Sequence, residues 1–179
     1  MPIHTFVTGG IRSGKSRYAL SLANTLQEPR MFLATAVPFD KELKDRIAIH
    51  KHERESLGWE TCEEPLHLEC VCKSFSSGTV LLECVGMWLN NLMYDFEKNT
   101  KTCTELIALE RAMVWIKMMD ASPVSYVIIS SEVGSGGVSP NPLARLFADC
   151  LGRINQTIAS LAKHVVWCVS GIPVFIKKS

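Results

Sequence analysis

No apolar run in this 179-residue chain reaches the roughly 18 residues that a membrane-spanning helix needs, so no span is expected. The start does not look like a secretory leader either. Met1-Pro2 passes straight into Ile3-His4-Thr5-Phe6-Val7, with no basic flank and no small-residue cleavage site. A cytoplasmic protein is expected. Cysteine is present, but without a pattern that ligates metal. The seven residues stand at 62, 70, 72, 84, 103, 150 and 168, an odd number. Cys70 and Cys72 have no second pair to complete four zinc ligands. The cysteines are read as small buried hydrophobes in a reducing compartment. No repeat, low-complexity tract or linker divides the chain, and a single domain over 1–179 is expected. A domain of about this length buries roughly 70% of its unfolded-chain surface and needs no staple.

Strong net charge is also lacking. The formal value is +1, which exerts no global pull toward DNA, RNA or acidic lipid. The charges are nonetheless uneven. Residues 1–54 carry nine Lys/Arg and five Asp/Glu, whereas residues 55–110 carry three and ten. Positive charge is thus concentrated near the N-terminus, which suits a compact anionic ligand better than a polymer.

That region holds Gly9-Gly10-Ile11-Arg12-Ser13-Gly14-Lys15-Ser16, a complete G-x-x-x-x-G-K-[ST] motif. A β-branched stretch precedes it and Arg17-Tyr18-Ala19-Leu20-Ser21-Leu22-Ala23, which suits a helix, follows. Strand, loop and helix in that order are the context the motif requires. Glycines let the backbone turn its N–H groups inward, and with the helix N-terminus these hold phosphate oxygens. Lys15 is expected at the β- and γ-phosphates, and the Ser16 hydroxyl at Mg²⁺.

Strand and helix signals alternate along the rest of the chain. Strands are expected at Arg30–Ala36, Thr79–Cys84 and Tyr126–Ser131, with a terminal hairpin over Val165–Ile176. Helices are expected over Asp40–Glu55, Leu66–Phe75, Met87–Glu97, Thr104–Met119 and Leu143–Lys163, with a loop at Gly134–Pro142. Several strands are apolar throughout, which implies burial on both faces. An α/β fold with a mostly parallel central sheet flanked by helices follows. Ligands of such folds bind beyond the carboxyl ends of the strands. The glycine loop, Thr35, Glu83 and Glu132 all fall at those ends.

Two acids compete for the metal-associated position. Glu83 ends one apolar strand and Glu132 follows another, and spacing does not choose between them. In the charged segment, Leu43, Ile47 and His50 share a helical face, which turns His50 inward. An inward histidine is a satisfied core residue, a base or a nucleophile beside phosphates. His52 diverges from it by about 200° on a helix, which argues against a shared metal. Arg145, Arg153 and Asn155 either organise the glycine-rich loop or face a subunit contact.

Beyond these readings, the chain resembles the bifunctional adenosylcobinamide kinase/adenosylcobinamide-phosphate guanylyltransferases of cobalamin biosynthesis. The likeness runs from Val7–Arg17 through Ala34-Thr35-Ala36, Arg46-Ile47, His50, Trp59, Leu82-Glu83-Cys84 and Trp88–Leu92. It continues through Glu132–Pro140, Leu143-Ala144-Arg145, Gly152–Gln156 and Val169–Pro173, in family order. The resemblance implies a P-loop fold, mostly parallel, assembled as a trimer. It implies phosphoryl transfer from ATP or GTP to the aminopropanol hydroxyl, then GMP transfer from GTP through a GMP-histidine. It places the nucleophile at His50. It adds Leu33, Ala34, Thr35, Lys51, His52, Glu53, Arg54, Glu63 and Glu83 to the nucleotide-binding loop, and favours Glu83 with Ser16 for Mg²⁺. A P-loop kinase with one activity, or a GTP-dependent regulatory switch, is the alternative.

Overall fold

A computed structural model describes residues 3–38 and 57–178. The expected Asp40–Glu55 helix falls wholly outside the described residues. Seven strands form one sheet in the order β3-β2-β4-β5-β1-β6-β7. They are β1 (Ile3–Gly9), β2 (Arg30–Ala34), β3 (Trp59–Glu63), β4 (Thr79–Glu83), β5 (Ser125–Ile129), β6 (His164–Val169) and β7 (Ile172–Lys177). Every neighbouring pair is parallel except β6 with β7, the terminal antiparallel hairpin. Five helices accompany them among the described residues: α1 (Lys15–Ala23), α2 (Leu68–Ser74), α3 (Val85–Lys98), α4 (Glu105–Ala121) and α5 (Pro142–Leu161). The Gly134–Gly136 stretch of the expected loop makes one turn of 3-10 helix.

Side chains alternate across a pleated strand, and here both alternating sets are apolar. Val80, Leu82, Tyr126 and Ile128 point into one core. There they meet Leu68 of α2, Trp88 of α3, Trp115 of α4 and Ile154 of α5. Leu81, Val127, Ile129 and Val7 point the other way, toward Ala19 and Ala23 of α1. Each fully buried large side chain contributes about 1.5–3 kcal/mol. Trp88 and Trp115 meet edge to face, with centroids 5.4 Å apart. The Trp88 indole N–H donates to Leu66 O at 2.9 Å, so its polar atom is satisfied within the core.

Helix starts follow local chemistry. Thr104 caps α4 by accepting from Ile107 N at 3.3 Å. Asn141 caps α5 by accepting from Leu143 N at 2.8 Å, with Pro142 in the first turn.

Three readings need correction. Strand β3 was not anticipated, because only Trp59 in Trp-Glu-Thr-Cys-Glu is fully apolar and buried. The stretch becomes a strand because its backbone pairs along β2, from Arg30 with Trp59 to Ala34 with Glu63. His67 precedes α2 rather than lying within it. All seven cysteines are free, but only Cys103, Cys150 and Cys168 are buried, while Cys70 is exposed.

Candidate active site

Strand β1 ends at Gly9, and the chain loops through residues 10–14 before α1 starts at Lys15. Gly14 occupies the N-cap with φ +89°, a left-handed conformation that a side chain disfavours. A Cβ there would stand 3.0 Å from Gly171 Cα in the terminal hairpin. A Cβ on Gly9 would meet Cys168 O at 2.5 Å. Both positions therefore require glycine for close backbone approach. The loop is tied to the hairpin by Gly171 N donating to Ser13 O at 2.9 Å. With glycine at the N-cap, no side chain competes for the first-turn amides of α1, which stay directed at an incoming oxyanion. Lys15 Nζ folds back to donate to Gly10 O at 3.1 Å, so its charge lies over the loop. Burial raises the pKa of the Cys168 thiol, and the nearby Lys15 charge partly offsets this. Ile11, by contrast, is 89% exposed at the loop tip.

Ser16 Oγ donates to Glu83 Oε1 at 2.6 Å across 67 residues of sequence. Thr35 holds the end of that strand. Its hydroxyl lies 2.8 Å from Glu83 O and 3.0 Å from Cys84 O, and accepts from Cys84 N at 2.7 Å. Thr35 N also donates to Glu83 O at 2.9 Å. Thr35 is fully buried, so its side chain positions Glu83 rather than facing outward. Asn91 fixes Thr35 in turn, donating to Thr35 O at 2.7 Å and Pro65 O at 3.2 Å. Asn91 was not singled out from the sequence as a site residue. Its only signal was membership of the Trp88–Leu92 block. Ala34 lies in register with both Glu63 and Glu83, so the two acids flank the end of β2. Leu33, one residue earlier, is wholly in the core.

Glu132 also stands near the loop, since its backbone N donates to Gly9 O at 3.0 Å. Its carboxylate is engaged differently from that of Glu83, accepting from Gly134 N at 3.1 Å. The alternatives left open for Arg145, Arg153 and Asn155 separate. Arg145 Nη1 donates to Ser139 O at 2.8 Å and Pro140 O at 2.9 Å, organising the glycine-rich loop. Asn155 Nδ2 donates to Ser131 O at 3.1 Å, supporting the same connection from below. Arg153 pairs with Glu105 of α4. His50, Lys51, His52, Glu53 and Arg54 lie outside the described residues. Among the described residues, no three His, Cys, Asp or Glu side chains cluster as a metal site. No described helix is long and apolar enough to cross a membrane.

A glycine loop opening a helix, with Lys15 over it and a strand-end carboxylate on Ser16, defines a P-loop nucleotide-binding α/β protein. Comparison with known proteins makes this specific. Residues 5–176 match the family model of cobinamide kinase / cobinamide phosphate guanyltransferase, and the chain belongs to that family. It is 36% identical to the bifunctional adenosylcobalamin biosynthesis protein CobU of Salmonella typhimurium over 179 residues, covering 96% of this chain and 98% of that one. It is equally 36% identical to CobU of Escherichia coli, with the same coverage. It is 32% identical to the bifunctional protein CobP of Pseudomonas aeruginosa over 174 residues, covering 96% and 95%. The protein is accordingly a transferase of the bifunctional cobinamide kinase and guanylyltransferase kind.

Proposed function

We propose that the protein phosphorylates adenosylcobinamide and then converts the phosphate to adenosylcobinamide-GDP, using one nucleotide site for both reactions. The observation that carries this reading is the Lys15, Ser16 and Glu83 arrangement on a family-matched chain. In the first reaction the aminopropanol hydroxyl oxygen bonds to the γ-phosphorus of ATP or GTP. The bridging P–O bond breaks, the nucleoside diphosphate leaves and the hydroxyl proton passes to solvent or a base. Lys15 and the first-turn amides of α1 stabilise charge on the equatorial oxygens.

In the second reaction a ring nitrogen of His50 attacks the α-phosphorus of GTP and pyrophosphate leaves. A phosphate oxygen of adenosylcobinamide phosphate then displaces the histidine from the GMP phosphorus, restoring the enzyme. This role for His50 rests on the family resemblance, as do nucleotide contacts by Lys51, His52, Glu53, Arg54 and Glu63. Splitting the transfer in two lets one site exchange pyrophosphate for a large acceptor.

The donor set suits Mg²⁺: a hydroxyl and a carboxylate, both hard oxygens, 2.6 Å apart beside the loop. Ser16 and Glu83 would hold the ion, which supplies charge neutralisation for the phosphates when bound. A cytoplasmic location belongs to this reading, and seven cysteines without a disulfide among them accord with it.

Homotrimeric assembly is supported by the outer hairpin. Trp167 of β6 and Ile172, Val174, Phe175 and Ile176 of the edge strand β7 are between 43% and 65% exposed, apolar surface on the outer hairpin that invites a subunit contact.

The test is mass spectrometry of the intact protein after incubation with GTP and Mg²⁺, followed by addition of adenosylcobinamide phosphate. An acid-labile GMP-sized increase that the acceptor discharges is expected. Nucleotide binding with neither an adduct nor cobinamide phosphorylation would sink the proposal.

A further inference from the structure

A broad cleft of about 1200 Å³ opens between α3 and the start of α5, with no residue of the phosphate loop in its lining. It exceeds the roughly 300–1,000 Å³ of ordinary small-molecule pockets. Met93 and Tyr94 of α3 form one wall, and Val138, Leu143 and Phe147 the other. Tyr94 is 65% exposed, Val138 87% and Leu143 58%, which leaves a contiguous apolar surface open to a ligand. Polar groups stand among these walls, including Asn90 and Ser139.

The cleft is joined to the phosphate site by the chain itself. Val133 and Gly134 line it. Their neighbour Glu132 donates its backbone N–H to Gly9 O, the first residue of the phosphate loop. One end of the cleft therefore lies one or two residues along the chain from a backbone contact with the phosphate loop. Arg145 fixes the far wall by holding the Ser139 and Pro140 carbonyls, so that wall is a built surface.

We infer that this cleft seats the corrin ring of the acceptor, so that the aminopropanol arm reaches past Val133 and Gly134 to the phosphate loop. The assignment rests on the cobinamide kinase reading above. A corrin is a broad, largely apolar macrocycle fringed with amide side chains. It needs an apolar surface larger than a usual pocket, amide partners at the edges, and one route to the phosphates. The cleft provides the first two, and Val133 and Gly134 lead from it to the Glu132 contact with Gly9. A second copy of this chain is the rival occupant, but the exposed β6–β7 face is a separate apolar surface better suited to that purpose.

The test uses the whole protein with adenosylcobinamide as the varied substrate. Val138→Asp and Leu143→Asp, both at exposed positions, should raise the KM for adenosylcobinamide at least tenfold. GTP affinity should stay within about twofold, which also verifies folding. Leu106→Asp, a 65% exposed leucine on α4 outside the cleft, should alter neither. An unchanged adenosylcobinamide KM in both cleft variants would overturn the assignment. So would a changed subunit number by light scattering with corrinoid affinity retained, which would make the cleft a contact between copies. Failure of the wild type to phosphorylate adenosylcobinamide at all would overturn the kinase reading instead, before any variant is compared.

Discussion

Ser16 Oγ lies 2.6 Å from Glu83 Oε1, joining the first turn of α1 to the end of β4. Of the two acids that spacing left equal, Glu83 is the one in contact with Ser16. Glu132 gives its carboxylate to Gly134 N instead. Thr35 and Asn91 hold the strand end that carries Glu83: Thr35 N donates to Glu83 O, the Thr35 hydroxyl accepts from Cys84 N and donates toward Glu83 O or Cys84 O, and the Asn91 amide stands behind them.

Glu83→Gln keeps the shape and can still bond Ser16, but removes the charge. We expect Mg²⁺-dependent GTP affinity to fall about tenfold or more, roughly 1.4 kcal/mol. Affinity without Mg²⁺ should change little. Titration of GTP with and without Mg²⁺ checks this, and equal Mg²⁺ dependence in the variant and the wild type would remove Glu83 from the metal site.

Substitution at His50 separates the two reactions. His50→Ala should abolish the GMP adduct while cobinamide phosphorylation stays measurable. Phosphorylation needs the phosphate loop but no histidine nucleophile. Labelling with α-phosphate-labelled GTP reads the first activity and conversion of adenosylcobinamide the second. Undiminished labelling of His50→Ala would place the nucleophile elsewhere.

The loop–hairpin approach gives a prediction about stability. Gly14→Ala puts a Cβ on a residue at φ +89° and 3.0 Å from Gly171 Cα. The left-handed conformation alone costs about 1–2 kcal/mol. A protein of this size loses about 2–4 °C in Tm per kcal/mol. A drop of roughly 2–8 °C in thermal melting is expected, with weakened GTP binding. An unchanged Tm would mean that the loop relaxes freely away from Gly171.

A pH effect is expected at His4. Burial, then the facing His164 and Lys163, lower its pKa from the ordinary histidine value. Its ring centroid is 5.4 Å from that of His164. With the folded pKa below the unfolded one, the unfolded chain binds the proton more tightly. Stability is then intact above pH 6.5 and falls as pH drops through the lowered folded pKa. Urea denaturation between pH 7.5 and 5 should show a smaller loss for His4→Gln than for the wild type. Equal losses would show that His4 does not titrate differently on folding.

Much of this was written in the chain. The glycine loop is legible because its chemistry is local: phosphate oxygens are held by consecutive backbone amides, so the residues stand side by side. The parallel sheet is legible because Val80-Leu81-Leu82 and Val127-Ile128-Ile129 are apolar on both faces. Strand β3 escaped because an edge strand needs burial on little of its surface, and Arg30, the β2 partner of Trp59, lies 29 positions upstream. The glycine loop and the sheet depend only on neighbours in sequence or on periodicity, whereas β3 does not. The Ser16–Glu83 contact, the service of Thr35 and Asn91 to that strand end, and the cleft beside Gly134 were decided by tertiary structure. Each brings together residues tens of positions apart, and hydrogen bonds of 2.6–3.2 Å depend on distances in space that no spacing along the chain encodes.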